Sequence, residues 1–147
     1  MHSVISFLFS LLMILPVGEK SKPVGNKHVQ CEIKLREQFL KAGSTGTMHI
    51  LLTPTKGIHI NLDPPMELKL DSSSGITKVE KLNIPKDEKK GYLDATKPVT
   101  VKFTISKKAK VGTLNLKGMF TYFYCSDAEG WCNRFKQPFD LKVNITK

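Results

Sequence analysis

The sequence predicts an all-β domain. Apolar residues recur at every second position through most of the chain, the signature of half-buried strands. Eight prolines and ten glycines break these runs at intervals of roughly ten residues, the turn spacing of sandwiches and barrels. No segment carries a sustained apolar stripe at i, i+3 and i+4, so no helix is expected beyond a single turn over Arg36–Lys41. A chain of 147 residues has room for one domain and no second core. Hydrophobic residues at 40% and charged residues at 24% are ordinary globular usage, which excludes disordered and collagen-like classes.

The first element is the apolar run Val4–Leu15. Its 12 residues fall short of the ~20 that span a bilayer as a helix. Pro16, Val17 and Gly18 follow, and charge begins at Glu19. Residues 1–18 therefore read as a secretory signal peptide, although the stretch before the run carries His2 and no Lys or Arg. Residues 19–27, polar with Pro23 and Gly25, read as a flexible lead-in. Residues 28–147 form the single domain, exported and able to keep disulfides.

Within that domain Val29, Cys31, Ile33 and Leu35 alternate with polar residues, as do Met48, Ile50 and Leu52 further on. Leu68 and Leu70 follow Met66, and Val99, Val101, Phe103 and Ile105 make a fourth run. Leu114–Cys125 is a long apolar and aromatic strand, and Phe139, Leu141, Val143 and Ile145 make the last. Turn residues separate them: Gly43-Ser44, Pro54-Thr55-Lys56-Gly57, Asp63-Pro64-Pro65, Ser72-Ser73-Ser74-Gly75 and Lys110-Val111-Gly112. About seven short strands in ~120 residues describe an immunoglobulin-like antiparallel β-sandwich. A small closed barrel is the alternative architecture.

The formal charge is +10 and the pI about 9.6. Ten lysines and four acids crowd residues 78–110, which protects sheet edges and keeps a β protein soluble. The same charge would attract an acidic partner or lipid headgroups. No nucleic-acid partner is expected, because the lysines are scattered and arginine occurs only at Arg36 and Arg134. Hydrolase motifs are absent from the sequence.

Three cysteines remain: Cys31, Cys125 and Cys132. Six residues lie between the last two, among them Asp127 and Gly130, which favour a turn. The two can therefore face each other across a tight connection. Cys31 shares the apolar parity of its strand and belongs in the core; a Cys31–Cys125 bridge between sheets is the competing pairing. Neither zinc nor copper is expected, since no histidine follows Cys125, and no cofactor is implied. Around the pair, Asp127 and Glu129 would raise a thiol pKa, whereas Arg134 and Lys136 would lower it. Tyr124, Trp131 and Phe135 flank it, either as packing or as shielding for the sulfurs.

These residues carry a resemblance. A strand ending in Tyr124-Cys125-Ser126-Asp127, a short loop, and Gly130-Trp131-Cys132 together resemble the periplasmic N-terminal domain of the DsbD family of thiol:disulfide interchange proteins. Gly57-Ile58-His59-Ile60-Asn61 followed by Pro64-Pro65 fits stand-alone members, as do the runs Pro98–Ile105 and Ala109–Leu116. The similarity covers about residues 45–146. It implies that Cys125 and Cys132 shuttle between dithiol and disulfide as an electron relay in the periplasm. It also implies a cap loop over the disulfide, with Asp87 and Glu88 at its acidic positions, Tyr92 standing for its aromatic residue, and His59 facing the site. Three features depart from the family form: Lys89 and Lys90 at expected aromatic positions, an intercysteine loop one residue longer, and Asn133 in place of a proline. The expected partners are thioredoxin-like or membrane thiol-disulfide oxidoreductases on other polypeptides, with the domain itself monomeric. A reading of a different class stays open: a non-catalytic exported binding module with a structural disulfide.

Overall fold

The computed structural model describes residues 24–71 and 75–147. In chain order the strands are β1 (Val24–Gly25), β2 (Val29–Leu35), β3 (Phe39–Lys41), β4 (Thr45–Pro54), β5 (Ile58–Asn61), β6 (Glu67–Leu70), β7 (Ile76–Val79), β8 (Val99–Ile105), β9 (Gly112–Ser126) and β10 (Trp131–Thr146). They form two sheets. One has the order β1-β2-β4-β8-β7; the other has the order β3-β10-β9-β5, with β6 also paired to β9. The series β2-β4-β8-β7 facing β5-β9-β10 reproduces the ABED and CFG sheets of an immunoglobulin-like sandwich. The closed barrel is thereby set aside.

Alternation builds the core. Val29, Cys31 and Ile33 of β2, Met48, Ile50 and Leu52 of β4, and Val99, Val101, Phe103 and Ile105 of β8 are buried in the first sheet. Leu116, Phe120 and Tyr122 of β9, with Val143 and Ile145 of β10, are buried in the second. The Tyr122 hydroxyl accepts a hydrogen bond from Asn26 Nδ2 at 3.1 Å, and burial pushes its phenol pKa up. Asn26 Oδ1 in turn accepts from the amides of His28 (2.8 Å) and Val29 (2.9 Å).

Two local expectations are revised. The end of the supposed lead-in is ordered: Val24 and Gly25 pair with β2, and Asn26 ties the following turn to the core. The segment expected to make a helical turn instead ends in β3, parallel to β10. Only residues 36–38 separate β3 from β2, so the chain crosses from one sheet to the other there, burying Leu40 while Phe39 and Lys41 stay exposed. The sandwich is therefore antiparallel except at this edge. The signal peptide expected over residues 1–18 lies outside the described residues, as does most of the Ser72–Gly75 turn.

β9 and β10 make the longest hairpin, with fifteen residue pairs in register. On β9, Leu116, Phe120, Tyr122 and Tyr124 point into the sandwich, so Thr121, Phe123 and Cys125 point to its outer face. The tip of this hairpin carries the candidate site.

Candidate functional site

Cys125 and Cys132 are directly opposed in the β9–β10 register, with Cα atoms 4.1 Å apart, and are joined as a disulfide. The competing Cys31–Cys125 pairing does not occur. Cys31 faces the interior as a free, buried thiol, whereas strand parity sends Cys125 to the opposite face of its sheet. Burial pushes the Cys31 thiol up to about 12.

The two bonded sulfurs differ in surroundings. Cys125, on the central strand of its sheet, is only 4% exposed; Cys132, on the far side of the bond, is exposed. Residues 127–130 close the hairpin. The Gly130 amide donates to the Ser126 carbonyl at 2.9 Å, and Gly130 takes a φ of +69°, a left-handed conformation in which glycine carries no Cβ penalty. The Ser126 hydroxyl accepts from the Glu129 amide at 3.3 Å, and the Trp131 indole donates to the Glu129 carboxylate.

β5 supplies the other wall. It pairs with β9 so that His59 stands opposite Cys125 and Asn61 opposite Phe123, both on the outer face. Asn61 reaches diagonally, and its Nδ2 donates to Cys125 Sγ at 3.0 Å. His59 Nδ1 lies 3.3 Å from Asp127 Oδ2 of the turn. A segment between β7 and β8 folds over this wall: Lys86 bridges Leu93, and the Leu93 amide donates to the Ile60 carbonyl at 3.0 Å. That anchor lays the Tyr92 ring on the His59 imidazole, centroids 3.7 Å apart and nearly parallel. A cleft of about 500 Å³ opens beside the disulfide, lined by His59, Asn61, Tyr92, Cys125, Asp127, Trp131 and Cys132 among others.

Of the residues singled out in the sequence, Cys125, Cys132, His59, Tyr92 and Trp131 thus come together. The other three do not line the cleft. The Asp87 carboxylate is engaged by the Lys89 and Lys90 amides of its own turn, at 3.0 and 3.2 Å, and Glu88 pairs with Lys86. Tyr124 points into the sandwich, where it meets Trp131 edge-on and Tyr122. Asp127, read from the sequence as a turn residue and as an acid beside the thiols, lines the cleft as well, and so does Asn61, which the run Gly57–Asn61 contains but gives no role. The signal for Asn61 is parity alone: two residues after His59 on one strand, it shares that face. Among the described residues no group of three or more His, Cys, Asp or Glu is arranged to hold a metal ion.

No protein-family model and no curated protein sequence matches the chain. Among solved structures it is similar to the GAE domain of yeast GGA1, at 11% identity over 79% of this chain and 95% of that one, with a TM-score of 0.41. It is similar also to murine CRIg, at 8% identity over 80% of this chain and 98% of that one, with a TM-score of 0.43.

Proposed function

We propose that this domain carries out reversible thiol–disulfide exchange through Cys125 and Cys132. One observation carries the reading: the bond lies on the outer face of the hairpin tip, with one sulfur exposed beside a cleft. Function tends to sit at such ends of a rigid scaffold.

The energetics of a staple argue the same way. Bridging an eight-residue loop stabilises by only about 2.5 kcal/mol in the chain-entropy account, whereas a bridge closing a 100-residue loop gives about 4.7 kcal/mol. The β9–β10 ladder already holds the two strands together. The bond can therefore open without unfolding the core.

In the reductive direction the thiolate of a donor dithiol attacks Cys132 Sγ, the exposed atom. A new S–S bond forms to the donor, the Cys125–Cys132 bond breaks, and its electron pair leaves on Cys125. The donor's second thiolate then attacks the donor sulfur of this mixed disulfide and releases Cys132. The domain ends as a dithiol, the donor as a disulfide, and two electrons have moved. The same steps run backwards pass them to an acceptor disulfide. The donors and acceptors in this reading are thioredoxin-like or membrane thiol-disulfide oxidoreductases. Its compartment is exported and periplasmic, as the apolar Val4–Leu15 run and the DsbD-like motif at 124–132 suggest.

The test is covalent trapping with a thioredoxin-like protein that keeps only its attacking cysteine, loaded there with thionitrobenzoate: a thiolate of the domain attacks that mixed disulfide, bonds to the partner sulfur and expels thionitrobenzoate. Cys125→Ser leaves Cys132 without its internal partner and is expected to accumulate a mixed disulfide, while Cys132→Ser accumulates at least tenfold less. Absence of any adduct from Cys125→Ser would leave the disulfide a structural element of a binding module.

A further inference from the structure

We propose that Asn61 is a catalytic residue of this exchange, its side-chain amide holding the negative charge that develops on Cys125 as the bond to Cys132 opens. The inference rests on the redox reading above and adds a direction to it: cleavage is biased so that charge leaves on the buried sulfur.

The geometry comes first. Asn61 Nδ2 meets Cys125 Sγ at 3.0 Å, and the Asn61 side chain has no other hydrogen bond among the described residues. Its buried Oδ1 meets no hydrogen-bond donor among the described residues. The opposite amide orientation would set an oxygen, which only accepts, against a disulfide sulfur, which also only accepts, and would bury both N–H donors. The observed orientation is therefore the one the chemistry requires. It leaves a polar side chain at a position where an apolar one would be buried more easily, with a sulfur as its single partner.

That partner changes character during the reaction. A disulfide sulfur is a weak acceptor, but a departing thiolate carries a full charge, and hydrogen bonds to charged groups are roughly twice as strong as neutral ones. The contact therefore strengthens as the S–S bond breaks, the condition for lowering a barrier rather than merely binding. No equivalent donor reaches Cys132 Sγ among the described residues. His59, opposite Cys125, directs Nδ1 at Asp127 instead. When an outside thiolate bonds to Cys132 Sγ, the electron pair of the old bond passes to Cys125 Sγ, where the Asn61 N–H groups wait. In reverse, a Cys125 thiolate so held attacks the Cys132–partner disulfide and expels the partner thiolate.

The experiment reads the Cys125 thiol directly. In Cys132→Ser, thiolate absorbance is followed against pH; Cys31, at about 12, titrates apart. The charged and titratable groups around Cys125 are His59 on β5, Asp63 after it, Tyr92 of the overlying segment, and Asp127 in the turn. All are common to the variants compared, so differences report residue 61. Asn61→Leu is expected to raise the Cys125 pKa by about one to two units, the worth of a charged hydrogen bond. In the otherwise intact protein it should slow reduction by a dithiol about three- to tenfold, since only about half of the thiolate charge has developed in the transition state. Asn61→Asp, close in shape, sets a carboxylate against the thiolate and should raise the pKa at least as far, so the test survives if the leucine variant does not fold. A Cys125 pKa unmoved in a folded variant overturns the role of Asn61. A bond that never exchanges removes the relay and this role together; one that exchanges with an unaltered Cys125 thiol removes Asn61 alone.

Discussion

Three sulfurs in one small domain sit in three environments, and their chemistry should follow. Cys31 lies under the sandwich with its thiol pushed up to about 12, so at neutral pH roughly one molecule in 10⁵ carries the reactive thiolate there. Cys125 is nearly buried and Cys132 is exposed. After reduction, a soluble alkylating agent at neutral pH is expected to label Cys132 first, Cys125 at least tenfold more slowly, and Cys31 only after denaturation. Peptide mapping of a labelling time course checks the order; early labelling of Cys31 would contradict the burial described here. At this scale much was legible. Alternation put Cys31 inside, and the turn residues Asp127 and Gly130 allowed Cys125 to face Cys132, with a Cys31–Cys125 bridge as the rival pairing. Of the two roles open to Tyr124, the structure takes packing for a simple reason: it neighbours Cys125 in sequence, but one step along a strand reverses the face. The diagonal reach of Asn61 depends on how β5 registers against β9, and no local pattern encodes that.

The element that shapes the site without touching the sulfurs is the segment from Asn83 to Lys97. Its tip is a turn organised by Asp87, and its exit is organised by Asp94. The Asp94 carboxylate accepts from the Thr96 hydroxyl and amide and pairs with Lys97 at 2.9 Å. Thr96, and then Lys97, lower its pKa from 3.8 to about 2. A depressed carboxylate pKa means that the native state favours the charged form. Its stabilising contribution is complete above pH ~4 and lost as pH falls through 2. The denaturant midpoint of Asp94→Asn should therefore lie below that of the parent at pH 6, with the gap closing between pH 4 and pH 2. A gap constant over that range would mean that the exit turn does not depend on the charge. The resemblance puts Asp87 and Glu88 in a cap over the disulfide, but neither lines the cleft: Asp87 bonds its own turn, a backbone geometry that composition does not reveal. The crossing at residues 36–38 was equally hidden, since a short segment of mixed polarity fits a helical turn as readily as β3.

The whole molecule is an immunoglobulin-like sandwich whose longest hairpin presents a disulfide on its outer face rather than between its sheets. Fold class was the most legible feature, because a period of two over many short runs admits few architectures. The parallel edge at β3–β10 was not, since it arises from where the chain changes sheet. What separates an electron carrier from a stapled binding module is the poise of one bond. Equilibration of the protein in thiol–disulfide buffers, with the Cys125–Cys132 state read by mass spectrometry of alkylated peptides, measures it. A redox-active Cys125–Cys132 bond is expected to show a reduction potential above about −300 mV, within reach of biological dithiols; a bond still oxidised below that value would be a structural disulfide and would contradict the relay.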